Sequence, residues 1–130
     1  MLPRCFQYSL LSGPRAEYDN AAMAVMGIDI GGTRIKAGLV ASGGQVSALS
    51  ELPTPLEPGA FRAALERLLR GAAGGAEIEG AGVGCKGFID APTTLIRDLP
   101  GTLHFLEGLL LRDLVCAALG RDVPVAADND

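Results

Sequence analysis

The chain has 130 residues, 48% of them hydrophobic and 20% charged, a mean hydropathy of +0.30 and a formal net charge of −4. That length suits one domain burying roughly two-thirds of the surface its unfolded form exposes, and the acidic balance without a basic run argues against a nucleic-acid or anionic-membrane surface. The three cysteines, Cys5, Cys85 and Cys116, are far apart with no CxxC pair, so they read as reduced thiols of a cytoplasmic protein without a zinc site.

Residues 1–24 show neither helical nor strand period and hold no apolar stretch long enough for a signal peptide or a membrane helix. They are expected to be a disordered extension, with Met23 or Met26 as the functional start. A regular pattern begins at Val25. Val25, Met26, Ile28 and Ile30, then Ile35, Ala37, Leu39 and Val40, supply strand-forming bulk on either side of Gly31-Gly32-Thr33. Two adjacent glycines allow positive backbone torsions and leave no side chain to hold a ligand away, so successive N–H groups can converge on an anion. Asp29 stands at the mouth of this turn, where a carboxylate would require Mg²⁺ and its waters to mediate any phosphate. An ordinary hairpin with a glycine turn is the competing interpretation.

A turn at Ser42-Gly43-Gly44 leads to a third strand over residues 45–52, completing an antiparallel meander. After Pro53, Pro55 and Pro58 a helix is expected over residues 59–70, because Phe61, Leu65, Leu68 and Leu69 form one apolar stripe. Residues 78–84 read as a fourth strand, parallel to the first because a helix precedes it. Its end, Gly82-Val83-Gly84-Cys85-Lys86-Gly87, matches GxGxxG, yet a turn rather than a helix is expected next, and no Gly-Lys-Ser/Thr triplet is present. Residues 88–106 read as a long irregular passage with the single histidine, His104, which has no evident partner. A second helix over residues 109–119, closed by Gly120, precedes a short buried strand over residues 123–127 that delivers Asp128-Asn129-Asp130. Taken alone, Asp-Asn-Asp after a strand is commonly a turn.

Residues 27–38, Gly-Ile-Asp-Ile-Gly-Gly-Thr-Arg-Ile-Lys-Ala-Gly, resemble the first phosphate motif of the ROK family (repressors, open reading frames and sugar kinases) of the actin–hexokinase superfamily. The final Asp128-Asn129-Asp130 resembles that family's strand ending in Asn-Asp, and Asp98-Leu99-Pro100-Gly101 stands where the family often has Asn-Leu-Pro-Gly. The resemblance covers residues 23–130. It implies an α/β, ribonuclease-H-like (actin-like ATPase) lobe over residues 25–130, with a mixed five-stranded sheet in the order β-β-β-α-β-α-β and helices packed on it.

The same resemblance implies ATP- and Mg²⁺-dependent phosphorylation of a hexose, glucokinase-like, at its 6-hydroxyl. Asp130 is then the general base. Gly31, Gly32 and Thr33 cradle the phosphates of ATP, and Asp29 orients Mg²⁺ through water. Lys36 either reaches the phosphates or caps an exposed strand face. Gly87 lets the backbone approach the sugar, and Asp98, Asn129 and Asp130 contact it. Two departures stand out: Lys86 occupies a position where the family commonly has proline, and the chain stops before the family's second phosphate loop, adenosine motif and zinc-binding cluster. A missing C-terminal lobe, an inactive isolated fragment and a homo-oligomeric full-length protein are therefore expected. A sugar-responsive ROK regulator and a non-catalytic actin-like binding module are the alternatives; the regulator is disfavoured because its DNA-binding helices have no counterpart in residues 1–24.

Overall fold

The computed structural model describes residues 23–41 and 43–129. Of the expected N-terminal extension, all but residues 23 and 24 lies outside the described residues, and those two already belong to the first strand. The elements run β1 (Met23–Ile30), β2 (Arg34–Val40), β3 (Val46–Pro53), α1 (Pro58–Ala73), β4 (Glu77–Cys85), β5 (Phe88–Asp90), β6 (Leu95–Asp98), α2 (Leu111–Leu119) and β7 (Val125–Asn129), with one 3₁₀ turn at His104–Leu106 before α2. Strands β3-β2-β1-β4-β7 form one five-stranded sheet. β1, β2 and β3 pair antiparallel through short turns, whereas β4 and β7, each entered from a helix, add in parallel. This is the mixed α/β sheet expected from the sequence.

One sheet face is apolar and covered. Met26, Ile28 and Ile30 of β1 and Ile35 and Ala37 of β2 are fully buried in a core shared with Phe61, Leu65, Leu68 and Leu69 of α1 and with Leu111, Leu114 and Val115 of α2. Pro58 starts α1 and the Glu57 carboxylate accepts the Ala60 N–H at 3.2 Å, satisfying one orphan donor of the first turn. The helix runs past the expected stop at Arg70, through Gly71, and closes at Gly74 with φ 56°. Burial of Ala72 on that extra turn favours its formation against the about 1 kcal/mol propensity cost of a helical glycine.

β3 is an edge strand whose outer N–H and C=O groups invite pairing by other chains. A bulge sits opposite Gly38, where Ala48 takes φ 52°, and Pro53 ends the strand; both blunt the edge.

Three further differences from the sequence-based expectation follow from pairing. The passage over residues 88–106 is not irregular: β5 and β6 form a hairpin closed by a turn in which the Thr93 and Thr94 N–H groups donate to the Asp90 carbonyl at 3.2 and 2.7 Å. Strands of three and four residues are too short to display a period. Helix α2 begins at Leu111 rather than Leu109, because Leu109 and Leu110 extend this hairpin: the Ile96 N–H donates to the Leu109 carbonyl at 2.9 Å and Leu110 bridges Leu95. Buried Thr94 then caps α2, its carbonyl accepting the Leu111 N–H at 2.9 Å and its hydroxyl the Arg112 N–H at 3.0 Å. Lastly, β7 lies two residues later than expected, because Pro124 has no N–H to give a ladder. Asp128 and Asn129 are consequently strand residues. Gly120 closes α2 in the left-handed conformation, as expected from its position.

Candidate functional site

The three parallel strands end level with one another. Ile30, Cys85 and Asn129 are lateral partners across β1, β4 and β7, so the Gly31 turn, the Lys86-Gly87 turn and the end of β7 leave the sheet along one edge. Ligands of open α/β sheets sit outside the carboxyl ends of parallel strands, because there the loops diverge and leave a crevice. Four stretches singled out in the sequence, 29–36, 87, 98–101 and 128–129, gather at or beside this edge.

Ile30 and Ile35 are the last paired residues of the β1–β2 hairpin, and the Gly31 N–H donates to the Arg34 carbonyl at 3.0 Å, leaving Gly32 and Thr33 as a two-residue tip. Neither glycine takes a positive φ, so the torsional freedom that two glycines allow is not used here. Their value is steric and electrostatic. A Cβ on Gly31 would lie 3.0 Å from the Arg34 carbonyl oxygen, whereas one on Gly32 would enter open space. With the Gly31 amide committed inside the turn, the free donors are those of Gly32 and Thr33, which have no partner among the described residues. Thr54, which sequence reasoning passed over, holds this turn from behind: its hydroxyl donates to the Gly31 carbonyl at 2.8 Å and its N–H to the Thr33 carbonyl at 2.9 Å. Two unpaired N–H groups and an exposed threonine fit an anionic oxygen cluster.

On the sheet face turned away from the helices, Glu51, Lys36, Asp29, Gly84 and Asp128 form one lateral row. Lys36 thus has a carboxylate on each neighbouring strand, yet makes no ion pair within 4.0 Å among the described residues. Arg34 instead takes Glu51, at 3.1 Å. Asp29 and Asp128 stand two strands apart, about 10 Å, with side-chain-less Gly84 between them. Asp128, absent from the residues the sequence nominated, accepts the Asn129 N–H at 2.8 Å. Asn129 belongs to the next row and turns toward the opposite face, while Asp130 lies outside the described residues. Among the described residues no three His, Cys, Asp or Glu side chains gather as a metal cluster, so the donor set suits a cation held through water beside one carboxylate, not a protein-caged ion.

Gly87 has φ +94°, and a Cβ there would run into the Asp98 carbonyl oxygen and approach Leu99 Cδ1 to 3.1 Å. Its glycine is thus explained within the chain, by the closeness of β6, independently of any ligand. Phe88 pairs with Asp98 across the hairpin and is 70% exposed. Leu99 is buried and anchors the 98–101 turn. His104, expected to be without a partner, has Nδ1 at 3.4 Å from Glu107 Oε2. GxGxxG continues from β4 into β5 and not into a helix, so the dinucleotide fingerprint is absent, as its context indicated.

No family model matches the chain. Over 105 residues it is 33% identical to the glucokinase of Streptomyces coelicolor, covering 81% of this chain and 32% of that one. Over 117 residues it is 38% identical to the N-acetylmannosamine kinase of Escherichia coli O157:H7, covering 83% of this chain and 36% of that one. Among solved structures, a ROK family glucokinase from Streptomyces griseus, in complex with glucose and AMPPNP, superposes with a TM-score of 0.69 at 28% identity, over 82% of this chain and 33% of that one. The chain's homologues are thus glucokinases and N-acetylmannosamine kinases, and its structural neighbours include ROK family glucokinases, over about 82% of the chain. The chain spans about a third of the length of the curated relatives it matches. A ROK family transcriptional regulator superposes on this chain at a TM-score of 0.63 but 17% identity, which establishes a shared fold alone. Among the described residues no helix is long and apolar enough to cross a membrane.

Proposed function

We propose that this chain is the phosphate- and sugar-facing lobe of an ATP-dependent hexose kinase that transfers the γ-phosphoryl group to the sugar 6-hydroxyl. The observation that carries this reading is the alignment of Ile30, Cys85 and Asn129, which brings a glycine turn with two unpaired N–H groups and the end of β7 to one sheet edge. Kinase relatives support it, among them the glucokinase bound to glucose and AMPPNP. In this reading the Gly32 and Thr33 amides hold phosphate oxygens and Gly31 shapes the turn. Asp29 holds a Mg²⁺ water and Lys36 contributes charge from the neighbouring strand. Mg²⁺ would neutralise the transferring charge. Asn129 pairs with sugar hydroxyls, and the Asp130 carboxylate accepts the 6-hydroxyl proton. Because such a transfer depends on positioning and on excluding water, the lobe by itself should turn over little.

A chimera in which residues 23–130 replace the matching segment of the Streptomyces coelicolor glucokinase tests this. We expect glucose-dependent ATP consumption, lowered about 10²- to 10⁴-fold by Asp130→Asn. Turnover that survives Asp130→Asn unchanged would overturn the assignment, and sugar-dependent ATP consumption by residues 1–130 alone would overturn the need for a second lobe.

A further inference from the structure

At the far end of the β5–β6 hairpin three titratable side chains meet outside the phosphate cradle. Glu107 Oε2 accepts the Leu99 N–H at 2.8 Å and stands 3.4 Å from His104 Nδ1, and Asp98 immediately precedes Leu99. Glu107 follows the 3₁₀ turn His104–Leu106, which is anchored by buried Leu103 and Leu106, and its side chain is only 27% exposed. It is therefore held from the core side, whereas Asp98 and His104 lie at the surface.

We propose that Glu107 is a positioning residue of the sugar side of the site: by accepting the amide of Leu99, next to Asp98, it fixes the 98–101 turn and the direction in which Asp98 is presented. This rests on the reading of Asp98 as a sugar contact. Two carboxyl groups hydrogen-bond each other only while one of them holds a proton. The hydrogen bond to Glu107, with partial burial and the Glu107 charge, raises the Asp98 titration against the opposing pull of His104. The Leu99 N–H, chiefly, lowers that of Glu107. Whenever the pair holds a single proton, that proton sits on Asp98 and Glu107 is the anion. Neighbouring Arg97 is engaged elsewhere, with Nε 3.7 Å from Asp90 Oδ1.

The test uses the isotopically labelled 130-residue chain, carboxyl and amide NMR, and glucose as the probe. In the unmodified chain Asp98 should titrate above ordinary aspartates, and glucose should shift the Leu99 and Gly101 amides. Glu107→Gln keeps an acceptor for the Leu99 N–H but removes the anion, so the Asp98 midpoint should fall back to the ordinary range with the fold intact. Glu107→Ala removes both, and glucose affinity should drop about tenfold or more, with Glu107→Gln recovering part of it. A purely structural clamp would leave the Asp98 midpoint equal in the unmodified and Glu107→Gln chains, and that result overturns the proposal. So does glucose binding as tight in Glu107→Ala as in the unmodified chain. If glucose leaves residues 98–101 of the unmodified chain unshifted, the sugar-contact reading of Asp98 itself falls, an outcome distinct from the other two.

Discussion

Gly87 and Asp98 meet backbone to backbone: Gly87 holds φ +94°, and any Cβ there would collide with the Asp98 carbonyl oxygen. Both strain and contact penalise a side chain, and the obstacle is main chain that cannot swing aside. Gly87→Ala should cost about 2 kcal/mol or more, read as a lower urea midpoint at unchanged slope. An alanine variant as stable as the original would mean that the turn and β6 are free to separate.

Thr94 caps α2 from a distance of many residues along the chain, with a buried hydroxyl and a φ of 63°. Thr94→Val keeps the shape but leaves the Arg112 N–H without its acceptor. The expected loss is about 1 to 2 kcal/mol in chemical denaturation, with Thr94→Ser largely restored. Equal losses for valine and serine would assign the effect to packing.

Phe61 is fully buried on α1 and meets Phe105 edge to face, ring centroids 5.7 Å apart. That contact joins the helix to the 3₁₀ turn carrying His104. Phe61→Ala should remove about 3 to 5 kcal/mol and lower the thermal midpoint steeply. A small change would indicate that the core closes over the space.

Asp90 offers a pH test on an exposed turn. The Thr93 hydroxyl bonds its carboxylate and, with Arg97, lowers its titration below the ordinary aspartate range. A depressed carboxyl favours the folded turn above the unfolded-chain midpoint, and this support fades as pH falls through the folded one. Thr93→Val should move the Asp90 midpoint upward in a carboxyl NMR titration, so that the turn loosens at a higher pH on acidification. An unmoved midpoint would show that the hydroxyl contributes nothing.

What the sequence determined by itself is what short-range chemistry encodes. Alternating bulk around Gly31-Gly32-Thr33 specifies the β1–β2 hairpin, the spacing of Phe61, Leu65, Leu68 and Leu69 specifies the buried stripe of α1, and Gly120 ends α2, each through neighbours a few residues away. The tertiary structure decided what depends on partners distant in sequence. The ladder with β4 draws Asp128 and Asn129 into β7, contact with Asp98 explains Gly87, Thr54 steadies the glycine turn, and Glu107 receives the Leu99 amide. None of these has a local period or motif, because each is settled by which backbone groups are left unpaired once the sheet has assembled and which side chain then comes within reach.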